Sequence, residues 1–389
     1  MPTVTTQTST EDLAAACLAR ADGDPSHPTA AAVDALLAQA WAWGASDVHV
    51  SPAPEVFVVR FRLDGVLTEV ARLPRARLPL LVQRIKVLAG LLTYRTDCAQ
   101  DGRVPADAAL GRGELRVSVV PTLHGEKAVL RLMGDAAGGP RAVDALGWPD
   151  DARAALREGV AGRQGLVVFA GPAGAGKTTA IYAALRALVA EGRACASIEE
   201  PVEAALDGVD QTPVDRAAGL TFAAALRALL RHDPEVLFVG EVRDRETAAI
   251  AVEAGLTGHL VLTTVHAGSA AEAVARLLDL GVEPFALGSA LRRVFAQRLV
   301  RRRCCEAGCE RCRGTGFAGR LPLVEHLALA GALRAGVLAG RSAVELEAAA
   351  REAGLVTLAA RGQAAVDAGL TTAAELARAL GADAGRSGA

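Results

Sequence analysis

The 389-residue sequence predicts an α/β protein built in two parts. Three observations carry that expectation. Over 30–133, helix-spaced and strand-like runs follow one another as helix, hairpin, helix and strand pair. A breaker-rich stretch, "GDAAGGP" at 134–140, comes next. Beyond it, apolar strand-like runs alternate with amphipathic helical ones, the pattern of a mostly parallel sheet wrapped by helices. A chain of this length has material for two buried cores.

In order along the chain, residues 1–29 are rich in Thr, Ala, Asp and Pro and read as a loose tail with one short helix over 11–20. "AAVDALLAQAWAWG" spaces Val33, Leu36, Leu37 and Ala40 as a helix, and "EVFVVRFRLDGVLTEV" is two β-rich runs joined by the Asp64-Gly65 turn signal. Leu78, Leu81, Val82, Ile85 and Leu88 line one helical face, and "GELRVSVVPTLHGEKAVLRLM" gives a strand pair turning near His124-Gly125. The first domain is thus expected over 30–133, a linker over 134–147 with a hinge at 134–140, and the second domain over 148–389. In that second part "GLVVFAG", "CASIEEP", "EVLFVGE" and "HLVLTTVH" read as strands, and the chain after Leu321 reads as Ala-rich and helical. Loops at the carboxyl ends of parallel strands carry ligands.

Composition narrows the function classes. The formal charge is −2 and aromatic residues make up 3%, so neither a basic nucleic-acid binder nor a base-stacking single-strand binder is favoured. No stretch approaches the roughly 20 apolar residues that span a bilayer. The sequence opens without a basic segment followed by an apolar block, so the protein is expected in the cytosol. Cys17, Cys98 and Cys195 are isolated, whereas Cys304, Cys305, Cys309 and Cys312 crowd together, which in a reducing compartment suggests a metal more readily than disulfides.

Gly171, Gly174, Gly176, Lys177 and Thr178 satisfy G-x-x-x-x-G-K-[ST], with an apolar strand running in and a helix-forming stretch running out. Residues Gly171, Pro172, Ala173, Gly174, Ala175, Gly176, Lys177, Thr178 and Thr179 are therefore expected to bind the phosphates of ATP. Backbone N–H groups would point at the oxygens at the positive end of the helix. Lys177 would neutralise the β- and γ-phosphates, and Thr178 would place its hydroxyl on Mg²⁺. Glu241 emerges from the buried strand of "EVLFVGEVRD", where an acidic group can polarise an attacking water. Gly240 stands where many phosphate-loop enzymes carry Asp, so help for Mg²⁺ is expected from Glu199 and Glu200 in "SIEEPVE".

"ASDVHV" with "VRFRLDGVL", "QDGRVP", "RVSVVPTLHGEKAVLRLM", "GPAGAGKTT", "IEEPVE", "LRALLRHDPEVLFVGEVRD", "TGHLVLTTVHAGSA", "AQRLVRRRC" and "GCERCRGTGFAGRLPLVE" follow one another in this order. In this the chain resembles the secretion-superfamily ATPases of type II secretion and type IV pilus assembly. The resemblance implies a PAS-like N-terminal domain ahead of a RecA-like P-loop ATPase domain with a helical C-terminal region. It also implies a homohexameric ring, at the inner face of the cytoplasmic membrane, that drives an inner-membrane platform protein and other pilus or secretion components. Membrane association would run through those partners, with no nucleic acid involved. By the same resemblance Lys177 and Thr178 hold the nucleotide and Glu241 activates water. Glu199 and Glu200 stand in an acidic box, and His259 and His266 in a histidine box. Arg103, Arg116, Arg227, Arg231 and Arg243 match arginines that reach the phosphates across a domain or subunit boundary. A guanidinium delivered on ring closure would make hydrolysis depend on a neighbour.

Three departures from the family pattern stand out. Glu200 replaces the usual Asp of the acidic box, the N-terminal docking domains are expected to be missing or reduced to the tail, and Cys304-Cys305 are adjacent where two Cys-x-x-Cys pairs are common. Tetrahedral zinc needs converging thiolates and adjacent cysteines point apart, so structural Zn²⁺ and a metal-free remnant both stay open. Within the resemblance, the cysteines and "LHGEKAVLRLM" favour an assembly motor. The alternatives are a retraction motor, a non-hydrolysing nucleotide-dependent regulator, and a ring-shaped DNA translocase, which the near-neutral charge disfavours.

Overall fold

The computed structural model describes residues 28–106, 113–133, 142–304, 309 and 311–381. The helix expected over 11–20 and the linker stretch 134–140 lie outside the described residues. The chain divides into two compact units, one of Met1–Gly139 with Glu306–Gly316, the other of Pro140–Cys305 with Phe317–Ala389.

The first unit begins with helix α1 (Pro28–Ala42) and the strands β1 (Asp47–Pro52), β2 (Val56–Leu63) and β3 (Val66–Pro74). Helix α2 (Leu78–Leu88) leads to β4 (Gln100–Val104), β5 (Leu115–Thr122) and β6 (Gly125–Leu132). The strands form one antiparallel sheet of six in the order β3-β2-β1-β6-β5-β4. Both hairpins turn where the sequence signals them, at Asp64-Gly65 and before Gly125. Alternation puts Val48, Val50, Phe57, Phe61, Val117, Val119 and Leu130 on the buried side, where they meet Val33, Leu37, Leu81 and Ile85 of the two helices. β4 carries "QDGRV", which the sequence signalled as a motif rather than a strand.

In the second unit, helix α3 (Asp150–Ala161) precedes β7 (Gly165–Ala170), α4 (Lys177–Ala190), β8 (Cys195–Glu199) and β9 (Val209–Pro213). There follow α5 (Phe222–Leu229), β10 (Val236–Val239), α6 (Arg245–Leu256), β11 (Leu260–Val265), α7 (Ala270–Asp279) and α8 (Pro284–Ala290). The long strands β12 (Leu291–Arg303) and β13 (Phe317–Ala328) come next, then α9 (Gly331–Leu338), α10 (Ala343–Glu352), α11 (Leu358–Asp367) and α12 (Ala373–Leu380). The seven-stranded sheet runs β13-β12-β7-β11-β10-β8-β9 and is parallel apart from its β12–β13 pair. β7, β8, β10 and β11 are buried throughout, which is why they read as continuous apolar runs. The expectation of helix from Leu321 is corrected: β13 holds that segment to Ala328, because β12 offers it an antiparallel partner, and helices begin only at Gly331. No helix among the described residues is long and apolar enough to cross a membrane.

Six helices of this unit start on a Thr, Asp or Ser whose side chain accepts from the first turn: Thr221, Asp244, Ser269, Ser342, Thr357 and Thr372. The last helix is also tied to the sheet by charge. Glu375, 2% exposed, accepts from the Arg301 backbone N at 2.9 Å and pairs with the guanidinium groups of Arg301 and Arg378. Burial alone pushes its carboxyl up, but the hydrogen bonds from Arg378 and Arg301 outweigh it and bring the pKa down to about 2. The native pKa lies below the unfolded one, so this contribution is complete above about pH 4.5 and is lost as pH falls toward 2. Glu375→Gln is expected to cost roughly 2 kcal/mol near neutral pH and to flatten the melting temperature between pH 5 and pH 3, read by thermal denaturation. An unchanged acid limb would place the acid sensitivity elsewhere.

Candidate active site at the carboxyl edge of the sheet

β7 ends at Ala170 and the chain then curls over its own strand end. Gly171 sits at φ +146°, and a Cβ there would lie 2.6 Å from the Gln297 carbonyl oxygen, so a side chain has no room. Gly176, at φ +90°, caps α4, whose first residue is Lys177. The loop from Gly171 to Gly176 thus lies against a helix N-terminus, where backbone N–H groups and the helix dipole favour an anion. Pro172, Ala173 and Gly174 are exposed, Ala175 is buried and Thr179 faces outward. The Lys177 ammonium donates to the Gly171 carbonyl at 2.7 Å and the Pro172 carbonyl at 2.9 Å. Burial lowers its pKa to about 8, against the opposing pull of the Glu241 charge.

Glu241, two residues past β10, is 14% exposed and holds His266 Nε2 at 3.0 Å and Arg243 at 2.6 Å. The hydrogen bond to Glu241 raises the Arg243 pKa. His266 follows β11 directly, and Gly171 N donates to the Val265 carbonyl at 3.3 Å, so the phosphate loop and the histidine are seated on neighbouring strand ends. Lys177, Thr178, Glu241, Arg243 and His266 are therefore brought to one edge.

Glu199 and Glu200, both expected to help Mg²⁺, stand in different surroundings. Glu199, 3% exposed, accepts from Tyr182 Oη, from Ser197 Oγ at 2.6 Å and from Gln211 Nε2 at 3.1 Å. Burial, followed by the hydrogen bond to Glu199, pushes the Tyr182 phenol up. Glu200 points to the surface, where Arg216 grips it with both nitrogens at 2.7 and 2.9 Å and lowers its pKa. The acid beside Thr178 is Glu203, whose Oε1 accepts from the Thr178 hydroxyl at 3.3 Å. Glu203 N in turn donates to Tyr182 Oη at 3.3 Å, linking the buried and exposed acids through one phenol. Glu203 was legible as the last acid of "SIEEPVE"; Tyr182 and Gln211 were not, because only strand order brings them to Glu199.

Not all expected residues meet here. His259 precedes β11, whereas His266 follows it, so the two stand roughly 20 Å apart at opposite edges of the sheet. His259 Nδ1 contacts the Ala254 carbonyl at 3.2 Å, and its own carbonyl accepts from Gly165 N at the start of β7. Arg227 pairs with Glu246 at 2.6 Å on the surface, tying α5 to α6, and Arg231 donates to the Arg227 carbonyl.

Arg103 and Arg116 belong to the first unit, directly opposite each other across β4 and β5. Arg116 in turn faces Arg131, Arg131 faces Asp47, and Asp47 faces Arg62. Asp47, 4% exposed, binds Arg131 at 2.9 Å and Arg62 at 3.2 Å. Arg103 reaches Glu114 only at 4.0 Å, and among the described residues Arg116 Nε is buried with no hydrogen-bond partner. Like charges directly opposite each other destabilise a sheet, and Arg103 faces Arg116 here.

Among the cysteines, Cys304, Cys309 and Cys312 bring their sulfurs within 4.8 Å of one another. Cys305 lies outside the described residues. Sulfurs of a tetrahedral zinc–thiolate centre stand about 3.8 Å apart at Zn–S near 2.3 Å, so the described trio fits such a centre with little adjustment.

Comparison with known proteins agrees with this arrangement of strands, loop and motifs. The family described as Type II/IV secretion system protein matches residues 22–378. The chain is 41% identical over 368 residues to "Type II secretion system protein HxcR" of Pseudomonas aeruginosa, covering 92% of this chain and 78% of that protein. It is 38% identical to "Type IV pilus assembly ATPase PilB" of Thermus thermophilus, over 88% of this chain but 42% of that longer protein. Among solved structures, the ATPase DotB of Legionella pneumophila superposes with a TM-score of 0.68 at 23% identity, over 88% of this chain and 93% of that one. The pilus retraction motor PilT with bound ADP gives 0.63 at 24% identity, over 89% and 96%. These two likenesses speak for the fold. The extent of the sequence match, with the motifs in place, means that the chain belongs to the Type II/IV secretion system protein family.

Proposed function

We propose that the protein is an ATP-hydrolysing motor subunit that drives assembly of a type IV pilus or a type II secretion pseudopilus. The observation that carries this reading is the meeting of Lys177, Thr178 and the Glu241–His266 pair at one carboxyl edge of a parallel sheet. The ammonium of Lys177 leaves the loop carbonyls for the β- and γ-phosphates, while Glu241, held by Arg243 and His266, orients and deprotonates the attacking water. The Thr178 hydroxyl beside the Glu203 carboxylate is a set of hard oxygen donors that fits Mg²⁺. Mg²⁺ held by Thr178 and Glu203 would supply charge neutralisation to the phosphates. Glu199 acts indirectly, fixing Tyr182 and through it the Glu203 backbone.

In this proposal the second unit is a RecA-like ATPase domain and the first a PAS-like domain, joined by a linker over 134–147 with a hinge at 134–140. Six copies form a ring at the inner face of the cytoplasmic membrane and act on a platform protein. Arg103, 4.0 Å from Glu114, and Arg116, whose Nε has no hydrogen-bond partner among the described residues, would supply charge to the phosphates on closure. Arg227 and Arg231 would reach the phosphates across a domain or subunit boundary, and His259 would serve in the histidine box. Steady phosphate release from purified protein with ATP and Mg²⁺ tests the reading; nucleotide binding without turnover would make the protein a regulator instead.

The cysteine cluster is proposed as a structural Zn²⁺ site. Purified protein is expected to carry about one zinc per chain by elemental analysis. Replacing Cys309 and Cys312 with Ser should release it and lower thermal stability while leaving nucleotide binding intact. Absence of metal from protein prepared without chelator would identify a metal-free remnant.

A further inference from the structure

The strand beside the phosphate loop does more than border it. β12 has 13 residues against the 6 of β7, and their pairing ends at Ala296–Ala170. From Gln297 onward β12 overruns its neighbour and passes along the phosphate loop. The Gln297 carbonyl oxygen lies 2.6 Å from where a Cβ of Gly171 would stand, and its carboxamide nitrogen lies 2.8 Å from where a Cβ of Gly176 would stand. Arg298 holds this arrangement with one fork. Its Nη1 donates to the Gln297 carbonyl at 3.0 Å and lies 3.3 Å from the Gly171 Cβ position. Its Nη2 donates to the Gly268 carbonyl at 3.0 Å, in the loop that starts at His266.

The Gly268 loop is gripped from other sides as well. Gly268 N donates to Glu272 at 2.6 Å, and Ala270 N donates to the buried Glu325, whose other oxygen accepts from Leu358 N at 2.8 Å. Both carboxylates lie in the field of the Arg298 guanidinium, and Arg298 also acts electrostatically on Lys177.

We propose that Arg298 is a positioning residue that ties the loop carrying His266 to the phosphate loop, so that the water-activating and phosphate-binding sides of the site keep one spacing. The inference rests on the hydrolytic reading for its effect on turnover, but its geometric part stands apart from it. A planar fork bridging two carbonyls is not reproduced by the single ammonium of lysine. A loss of register of about 1 Å costs on the order of 100-fold in rate.

The test uses the full chain with Arg298→Gln and Arg298→Lys. In R298Q the Gly268 and Ala270 amides should exchange hydrogen about tenfold faster without nucleotide, while β10 amides keep wild-type protection. Its kcat should fall about 100-fold with KM for ATP within about threefold, and R298K should fall about tenfold. If R298Q does not fold, the same measurements on R298K decide. Unchanged exchange at Gly268 and Ala270, or faster exchange spread evenly through the sheet, would overturn the inference. Wild-type protein that binds ATP without releasing phosphate would overturn the hydrolytic reading alone, and the exchange result would still decide the role of Arg298.

Discussion

Replacing Glu241 with Gln is expected to lower ATP turnover about 1000-fold while ATP binding stays within about threefold of wild type, measured by phosphate release and equilibrium binding of a fluorescent ATP analogue. Glu241→Gln keeps the shape and an acceptor oxygen for His266 and Arg243 and removes the carboxylate proposed to take the proton from water. Loss of ion pairing alone cannot mimic that result. Both partners are more than half exposed, so each pair contributes at most about 1 kcal/mol, equivalent to roughly fivefold. A 1000-fold fall corresponds to about 4 kcal/mol of barrier, well beyond that range. A fall below tenfold would move the base elsewhere, with His266 the next residue to replace.

The second large effect concerns Lys177→Ala. Hydrogen bonds to a charged group contribute about 1.5–3 kcal/mol each, so losing the ammonium should weaken nucleotide binding on the order of 100-fold and reduce turnover to background. The fold should survive. Burial already holds the Lys177 pKa at about 8, below that of an exposed lysine, so the buried charge burdens the native state at neutral pH and its removal lifts that burden. In wild type a bound phosphate must raise that pKa, so nucleotide affinity is expected to decline as pH rises above about 8, because binding must then take up a proton. In the native organism, Lys177→Ala with protein level checked should abolish surface pilin fibres. Normal fibres would point to a secretion system, and excess fibres to a retraction motor.

The parts of the site that the sequence announces are those whose geometry is local. Gly171 to Thr178 must curl over a strand end whatever the rest of the chain does, and β7, β8, β10 and β11 read as strands because both their faces are buried. β12 was less transparent. "LRRVFAQRLVRRR" mixes buried Val294 and Phe295 with a dense run of arginines, and its extended form comes from lying between β7 and β13. Gln297 and Arg298 gain their place beside the phosphate loop only through that overrun, which no spacing rule contains. The separation of His259 from His266 was available in principle, since a buried run of six residues between them can only be a strand or a short helix, and a strand puts its two ends at opposite edges. Glu199 and Glu200 show the opposite limit: adjacent in sequence and alike in charge, they part company because one side chain turns into the sheet and the other toward Arg216.

The anchoring of α12 has a bearing on how such a chain can change over generations. An alanine-rich terminal region looks like a stretch free to drift, since its helices are short and its surface plain. Glu375 grips the backbone and side chain of Arg301, three positions along the same strand from Arg298. A substitution in the last helix that loses these contacts therefore acts on the strand that runs beside the Gly171–Gly176 loop, so exposure alone does not measure how freely this tail can vary.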